Sequence, residues 1–64
     1  MTTREERKAA LSRAIAQSKN GIMTYVLISG GNICITQDEK EAKTLVKGHN
    51  HRVYAKCKDG YMTL

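Results

Sequence analysis

Apolar residues recur at helical spacing near the start of the chain, from Ala9 to Ala16. Either Thr2 or Thr3 can cap this helix, because each has a glutamate three residues later that completes a capping box. Gly21 follows as a residue that tolerates the left-handed conformation at a helix end. The pattern therefore predicts a first helix over about residues 3–19.

A second, shorter helix is predicted between Asp38 and Gly48. Asp38 is its capping residue, and Glu41 stands at the matching capping-box position. Three residues at helical spacing are expected to form its buried edge: Ala42, Leu45 and Val46.

Four short segments have the composition and alternation of β-strands, and they cover residues 22–29, 33–36, 52–57 and 61–64. Gly30-Gly31-Asn32 joins the first two segments as a hairpin, because glycine and asparagine tolerate the positive φ of a tight turn. Asp59-Gly60 joins the last two in the same way.

The third strand shows how the faces of the sheet are expected to divide. Strict alternation places Val53, Ala55 and Cys57 on one face, and Tyr54 and Lys56 on the other. The order of elements, α-β-β-α-β-β, predicts an α+β fold with a four-stranded antiparallel sheet and the helices packed on one face of it. A single domain is expected over residues 1–64. Since the first strand is apolar on both faces, a homodimer in which a second copy covers the other face is also considered.

The composition excludes several classes of protein. With 64 residues, of which 41% are hydrophobic, the chain can form one modest core but not a two-domain enzyme with a cofactor fold. Its longest apolar stretch, Ile22 to Ser29, is far shorter than the roughly 20 residues of a membrane span. The charged N-terminus shows no secretory signal, and Cys34 and Cys57 lie outside any Cys-x-x-Cys pair. We expect a cytoplasmic protein with two reduced thiols.

The positive charge is concentrated in two zones. Eleven Lys and Arg against six Asp and Glu give a net charge of +5. Residues 1–20 contain five basic and two acidic residues, and residues 47–58 contain four basic residues and no acidic one. Clustered cations attract an anionic partner, although a basic surface also promotes solubility alone. The candidate binding residues of these zones and the last hairpin are Arg4, Arg7, Lys8, Arg13, Arg52, Tyr54, Lys56, Lys58 and Tyr61.

The densest cluster of reactive side chains is Gly48-His49-Asn50-His51-Arg52. A histidine beside a cationic clamp is suited to acid–base chemistry at a phosphate, whereas the alternative is a solvated loop before a strand. Gly48, His49 and His51, followed by Tyr54 and the Asp59-Gly60 turn, resemble the HicA-type ribonuclease toxins, in which a Gly-Ser-His-His motif precedes a strand. The resemblance implies a small ribonuclease that depends on His49 and His51, although the serine of that motif is missing.

Other chemistry has little support in the sequence. No pair of cysteines or histidines has the spacing of a structural zinc site, so neither a metal nor another cofactor is expected. Glu5, Glu6, Asp38 and Glu41 lie where helix N-terminal turns favour acids, which leaves no carboxylate pair for catalysis.

These observations favour a small, basic, non-enzymatic binding protein. We expect it to dock on a host protein or protein complex and to modulate it, as accessory proteins of phages and mobile elements do. The first alternative is a regulator that binds nucleic acid through the first helix and the last hairpin. The chain lacks Phe, Trp and the known RNA-binding motifs, which weakens that alternative. The histidine-dependent ribonuclease is the second alternative.

Overall fold

The computed structural model describes residues 2–63. In chain order its elements are α1 (Arg4–Gln17), a 3-10 turn (Ser18–Asn20), β1 (Thr24–Ser29), β2 (Asn32–Thr36), α2 (Glu39–Gly48), β3 (Arg52–Lys58) and β4 (Tyr61–Thr63). The strands form one antiparallel sheet in the order β2-β1-β3-β4, so β1 and β3 are central. The predicted α+β fold and its order of elements are confirmed. Leu64, the predicted end of the fourth strand, lies outside the described residues.

α1 begins with a complete capping box, in which Thr3 rather than Thr2 is the cap. The Thr3 hydroxyl accepts a hydrogen bond from the Glu6 backbone N–H at 3.1 Å, and the Glu6 carboxylate accepts one from the Thr3 backbone N–H at 3.1 Å. The hydrogen bond from the Thr3 backbone N–H is the main cause that lowers the pKa of Glu6, and hydrogen bonding with the Thr3 side chain lowers this pKa further. After the 3-10 turn, Gly21 has a φ of +83°, which ends the helical segment as predicted.

The core lies between α1 and one face of the sheet. Ala10 and Ala14 of α1 form a buried cluster with Val26 of β1 and with Ala55 and Cys57 of β3. Larger apolar side chains of α1 and β2 pack around this cluster: Leu11, Ile15, Ile33 and Ile35. Because the alanine side chains are short, the helix can approach the central strands closely.

α2 lies on the opposite face of the sheet, so the expectation that both helices share one face is wrong. Tyr25 and Leu27 alternate with Val26 along β1 and therefore project away from α1. Ala42 and Val46 of α2 line a groove together with Tyr25. The connectivity explains this position: β2 and β3 flank β1, so α2 must cross β1, and α1 already covers the other face.

The predicted buried edge of α2 is only partly buried. Ala42 is 4% exposed and Leu45 is half-buried, but Val46 is 41% exposed. The helix packs chiefly on β1 and β2, so its side nearest β3 remains open. Part of this sheet face therefore stays accessible.

Ser18, which is fully buried, joins the end of α1 to the last hairpin. The Asp59 backbone N–H donates to the Ser18 carbonyl at 2.9 Å, and the Gly60 backbone N–H donates to the Ser18 hydroxyl at 3.1 Å. Asp59 and Gly60 have φ values of +55° and +83°, as a two-residue hairpin turn of type I′ requires. The predicted turn is confirmed, and its backbone is held against α1.

Candidate functional site

A β-bulge at Tyr54 determines which face of the sheet each side chain of β3 occupies. The consecutive residues Val26 and Leu27 of β1 pair with Ala55 and Val53, so Tyr54 is an extra residue without a partner. Directly opposed residues on antiparallel strands share a face. Ala55 therefore faces α1 whereas Val53 faces α2, and the strict alternation predicted for this strand is wrong.

The bulge also separates the predicted binding residues of β3. Arg52 pairs with Ile28, which shares the α1 face with Val26. Lys56 pairs with Tyr25 on the α2 face. In a strand without a bulge, Arg52 and Lys56 would share one face. The cations of this strand therefore belong to two different surfaces.

The first surface is an open pocket of about 600 Å³ at the α1 side of the bulge, which we call the arginine pocket. Its polar and aromatic lining includes Arg7, Ser29, Gly30, Asn50, Arg52 and Tyr54. None of its lining residues is acidic. The pocket thus brings together one cation from each basic zone of the sequence.

Arg7 is held in position at the wall of this pocket. Its Nη1 donates to the carbonyl oxygen of Thr2 at 2.9 Å and approaches the Thr2 hydroxyl at 3.3 Å. Thr2 is itself 7% exposed. A guanidinium carries five N–H donors, so donors remain for a ligand. Tyr54, on the same pocket, is 48% exposed.

The second surface is a groove of about 200 Å³ between α2 and β3, which we call the lysine groove. Its apolar floor consists of Tyr25, Ala42, Val46 and Val53. Its basic rim consists of Lys43, Lys47 and Lys56, with Glu39 as the one acidic residue of the lining. Lys43 contacts Glu39 at 3.4 Å, and both side chains are about two-thirds exposed, so this ion pair neutralises the rim only weakly. Val53 is part of both linings.

The last hairpin extends the second surface beyond the lysine groove. Lys58 pairs with Tyr61, and alternation places both on the α2 face with Lys56. Tyr61 is 76% exposed. Three predicted binding residues, Lys56, Lys58 and Tyr61, are therefore on one face, whereas Tyr54 lines the arginine pocket instead.

The remaining cations of α1 do not join either surface. Arg4, Lys8 and Arg13 are exposed, and none of them lines the arginine pocket or the lysine groove. Arg13 lines a shallow cleft between α1 and β2, where Glu6 is also present. The outer side of α1 is therefore a mixed charged surface rather than a uniformly basic one.

His49 and His51 flank Asn50 in the loop between α2 and β3. The Nδ1 atom of His51 lies 3.2 Å from the His49 carbonyl oxygen, and the Ser29 hydroxyl donates to that oxygen at 3.3 Å. The two rings meet edge to face, with centroids 6.3 Å apart and an interplanar angle of 82°. Within residues 2–63 neither imidazole forms an ion pair with a carboxylate. These contacts hold the loop, and the ribonuclease hypothesis stays a prediction.

The two thiols differ in their surroundings. Cys57 is fully buried in the core, and burial raises the pKa of its thiol. Cys34 is half-buried, and neither cysteine forms a disulfide. Among residues 2–63 there is no group of three or more His, Cys, Asp or Glu side chains that could hold a metal ion. In the same part of the chain, neither helix has the length and apolar character needed to cross a lipid bilayer.

Sequence reasoning missed most of the lysine groove. Tyr25, Val46 and the two lysines of α2, Lys43 and Lys47, were not among the predicted binding residues. One signal was present, since Lys43 and Lys47 are one helical turn apart with Val46 beside them. Their juxtaposition with β3 depends on α2 crossing β1 on the face opposite α1, which no local pattern indicates.

Comparisons with protein-family models, with curated proteins and with solved structures gave no match to this chain.

Proposed function

We propose that this chain is a non-enzymatic binding module that docks on an acidic surface of a protein complex and modulates it, as accessory proteins of phages and mobile elements do. The observation that supports this proposal best is the lysine groove, which combines an apolar floor with a cationic rim. Its volume of about 200 Å³ suits an apolar side chain of a partner rather than a substrate of drug size.

The apolar part of the groove supplies the buried contact. Val46 on α2 and Val53 on β3 are 41% and 42% exposed on the two sides of the groove. Exposed apolar residues enclosed by a polar rim are typical of interaction surfaces. A partner side chain inserted between them would remove both valines and the ring of Tyr25 from water.

The basic rim supplies attraction and selectivity. Lys43, Lys47 and Lys56 surround the floor, and Lys58 continues the positive charge along the same sheet face. Lysines can lay their aliphatic stems on apolar surface while the ammonium groups reach solvent. The positive charge of these lysines accelerates the encounter with an acidic partner and disfavours binding of a basic one.

Tyr61 offers an aromatic anchor at the edge of this surface. It is 76% exposed, the highest value among the large hydrophobic residues of residues 2–63. Tyrosine is enriched among the residues that contribute most to protein interfaces. The surface that includes the lysine groove, Lys58 and Tyr61 therefore has the composition of a docking face.

A matched pair of variants on α2 tests the proposal. Val46→Asp places a carboxylate in the lysine groove, whereas Thr44→Asp makes the same charge change on an exposed part of the helix outside the groove. Tagged wild type and both variants are used to capture proteins from a nuclease-treated lysate of the source cells. We expect one protein complex to be retained by wild type and by Thr44→Asp, and to be lost by Val46→Asp.

Two results of the capture experiment would contradict docking of a protein complex through the groove. One is a captured protein that Val46→Asp retains as well as wild type does. The other is capture of RNA or DNA alone in the untreated lysate, with no protein left after nuclease treatment. Light scattering of the purified chain adds a third, since a dimer that Val46→Asp dissociates would assign the groove to a second copy of the chain.

The ribonuclease alternative has its own test. If the chain acts through His49 and His51, its expression should be toxic to cells, and His49→Ala or His51→Ala should abolish the toxicity. A wild-type chain that is not toxic excludes that alternative.

A further inference from the structure

We infer that the arginine pocket binds single-stranded nucleic acid, with backbone phosphates on Arg7 and Arg52 and a base against Tyr54. Of the residues that line this pocket, Val53 alone also lines the lysine groove, so this inference is independent of docking through that groove. The predicted nucleic-acid surface comprised the basic first helix and the last hairpin; the pocket combines Arg7 and Tyr54 from that prediction with Arg52 and leaves out its other residues.

Two arginines, Arg7 and Arg52, lie in the lining of the pocket, which contains no acidic residue. Arg7 donates to the carbonyl oxygen of Thr2 at 2.9 Å, which fixes its guanidinium before any ligand arrives. Arg52 reaches the same pocket because the bulge turns it toward α1. Glu6, the acidic residue next to Arg7 in sequence, accepts its hydrogen bond from the Thr3 backbone N–H and does not line the pocket.

Neither arginine is neutralised by an ion pair within residues 2–63, where the salt bridge present joins Lys43 to Glu39. Guanidinium groups match the geometry of phosphate oxygens and can donate two parallel hydrogen bonds to them. A prepositioned guanidinium also loses less conformational freedom on binding than a mobile one. Each guanidinium is therefore suited to a backbone phosphate.

An aromatic ring, that of Tyr54, lines the same pocket as these two arginines. Tyr54 is 48% exposed and is the residue that the bulge adds to β3. Bulges often redirect a side chain next to a functional site. A partly exposed ring beside paired arginines is the combination that single-strand binding proteins use, with the backbone on the cations and an unstacked base on the ring.

The size and shape of the pocket suit a ligand as large as a nucleotide. The pocket has a volume of about 600 Å³, within the range of roughly 300–1,000 Å³ that is typical of sites for ligands larger than an inorganic ion. Ser29 and Asn50 are part of its lining: an asparagine amide can donate to or accept from a base edge, and the Ser29 hydroxyl, which donates to the His49 carbonyl oxygen, can accept a hydrogen bond. A duplex keeps its bases stacked, so a concave pocket with a single ring favours an unpaired strand.

The experiment measures binding of the purified full chain to fluorescein-labelled oligouridine and oligothymidine of about eight nucleotides, within the usual site size of small single-strand binders. Fluorescence anisotropy is recorded between about 50 and 200 mM salt, because the logarithm of the affinity falls linearly with the logarithm of the salt concentration when phosphate contacts are present. Two phosphate contacts predict a log–log salt slope of about −1.4 for a single strand.

Each variant has a matched control elsewhere on the chain. Arg52→Gln should weaken binding and reduce the magnitude of the slope by about 0.7, whereas Arg13→Gln, with the same charge change outside the pocket, should change the slope by much less. Tyr54→Ala should weaken binding by roughly 5- to 100-fold, the usual effect of losing a stacking ring, and Tyr54→Phe should not. Tyr61→Ala removes a more exposed tyrosine from the other face and should leave binding unchanged. Far-UV circular dichroism confirms that each variant is folded.

Several results would overturn the inference. They are absence of binding at low salt, equal losses in Arg13→Gln and Arg52→Gln, and equal losses in Tyr61→Ala and Tyr54→Ala. Competition by inorganic phosphate combined with full binding by Tyr54→Ala would indicate a simple anion site instead. Equal affinity for an oligoglutamate peptide of the same charge would indicate nonspecific attraction. Val46→Ala alters the lysine groove alone. Oligonucleotide binding that this variant retains therefore does not depend on whether a partner docks through the groove.

Discussion

Deletion of Tyr54 should leave the sheet intact, because Tyr54 is the residue of β3 that the bulge leaves without a partner on β1. After the deletion, the pairs Leu27–Val53 and Val26–Ala55 become consecutive steps of a regular antiparallel ladder. Deletion of Lys56 is the matched control, since it shortens β3 by the same length. In that variant, β3 keeps its pairing with β1 at both ends only if the bulge disappears. Tyr54 then lies opposite Val26, in the core position that Ala55 occupies in the wild type.

The two deletions differ in what they do to the core. Both lose the contacts that Tyr54 makes at its native position, where at 48% exposure about 100 Å² of the side chain is buried, worth at most about 2.5 kcal/mol. The Lys56 deletion also forces a tyrosine into a position where Ala55 is 7% exposed beside Ala10 and Ala14. Overpacking costs about 1–3 kcal/mol, and a buried hydroxyl without a partner costs a further ~1–3 kcal/mol. We therefore expect the Lys56 deletion to be less stable than the Tyr54 deletion by about 2–6 kcal/mol.

Urea denaturation followed by far-UV circular dichroism measures this difference as a change in the free energy of unfolding. A domain of 64 residues has a total stability of about 3–10 kcal/mol, so the Lys56 deletion should be largely unfolded or close to it. The Tyr54 deletion should keep a cooperative transition with an unchanged m-value. An unfolded Tyr54 deletion, or a Lys56 deletion of equal or greater stability, would refute the bulge as the element that assigns the faces of β3.

Further predictions concern single residues. Leu27→Ala should lower the free energy of unfolding by about 2–5 kcal/mol in urea titrations, because Leu27 is fully buried under α2; a loss below about 1 kcal/mol would contradict that packing. Iodoacetamide should label half-buried Cys34 well before buried Cys57, whose pKa is raised by burial, and peptide mass spectrometry would reveal the reverse order if the core is misassigned. Thr3→Ala should lower the free energy of unfolding by about 1 kcal/mol at neutral pH through loss of the helix cap. The bonds to Thr3 lower the pKa of Glu6 in the folded chain, so the contribution of this carboxylate to stability is fully present above its ordinary pKa of 4.5 and is lost as the pH falls through the lower folded value. Thermal melts should therefore show a smaller difference between wild type and Glu6→Ala in acid than at neutral pH, and a constant difference would contradict the capping box.

The two surfaces are placed so that they can be tested separately. The arginine pocket contains Arg7 and Arg52, the lysine groove contains the exposed side of α2, and their linings share Val53. Substitutions at Arg52 and Val46 therefore report on one surface each, whereas substitutions at Val53 would affect both.

The amino-acid sequence alone determined the features that depend on neighbours a few residues apart. A capping box, which the sequence allowed at Thr2 or at Thr3, is present at Thr3 with Glu6, and the left-handed glycine at position 21 is confirmed. The Asp59-Gly60 turn is confirmed as well, with positive φ at both residues. Each rests on a local hydrogen bond or a backbone conformation that few residue types adopt, so the residues themselves predict it. These caps and turns mark where helices and strands begin and end, and they were enough to predict the order of elements and the fold class.

Tertiary structure alone decided how the cations are grouped. The net charge of +5 and the two basic zones are visible in the chain, but the alternation of β3 predicted Arg52 and Lys56 on one face. Pairing with β1 inserts the bulge at Tyr54 and moves Arg52 to the other face, beside Arg7. The crossing of α2 over β1 likewise brings its lysines to β3. Strand register and helix placement depend on contacts between segments distant in sequence, and a single inserted residue reverses the face of every side chain on one side of it.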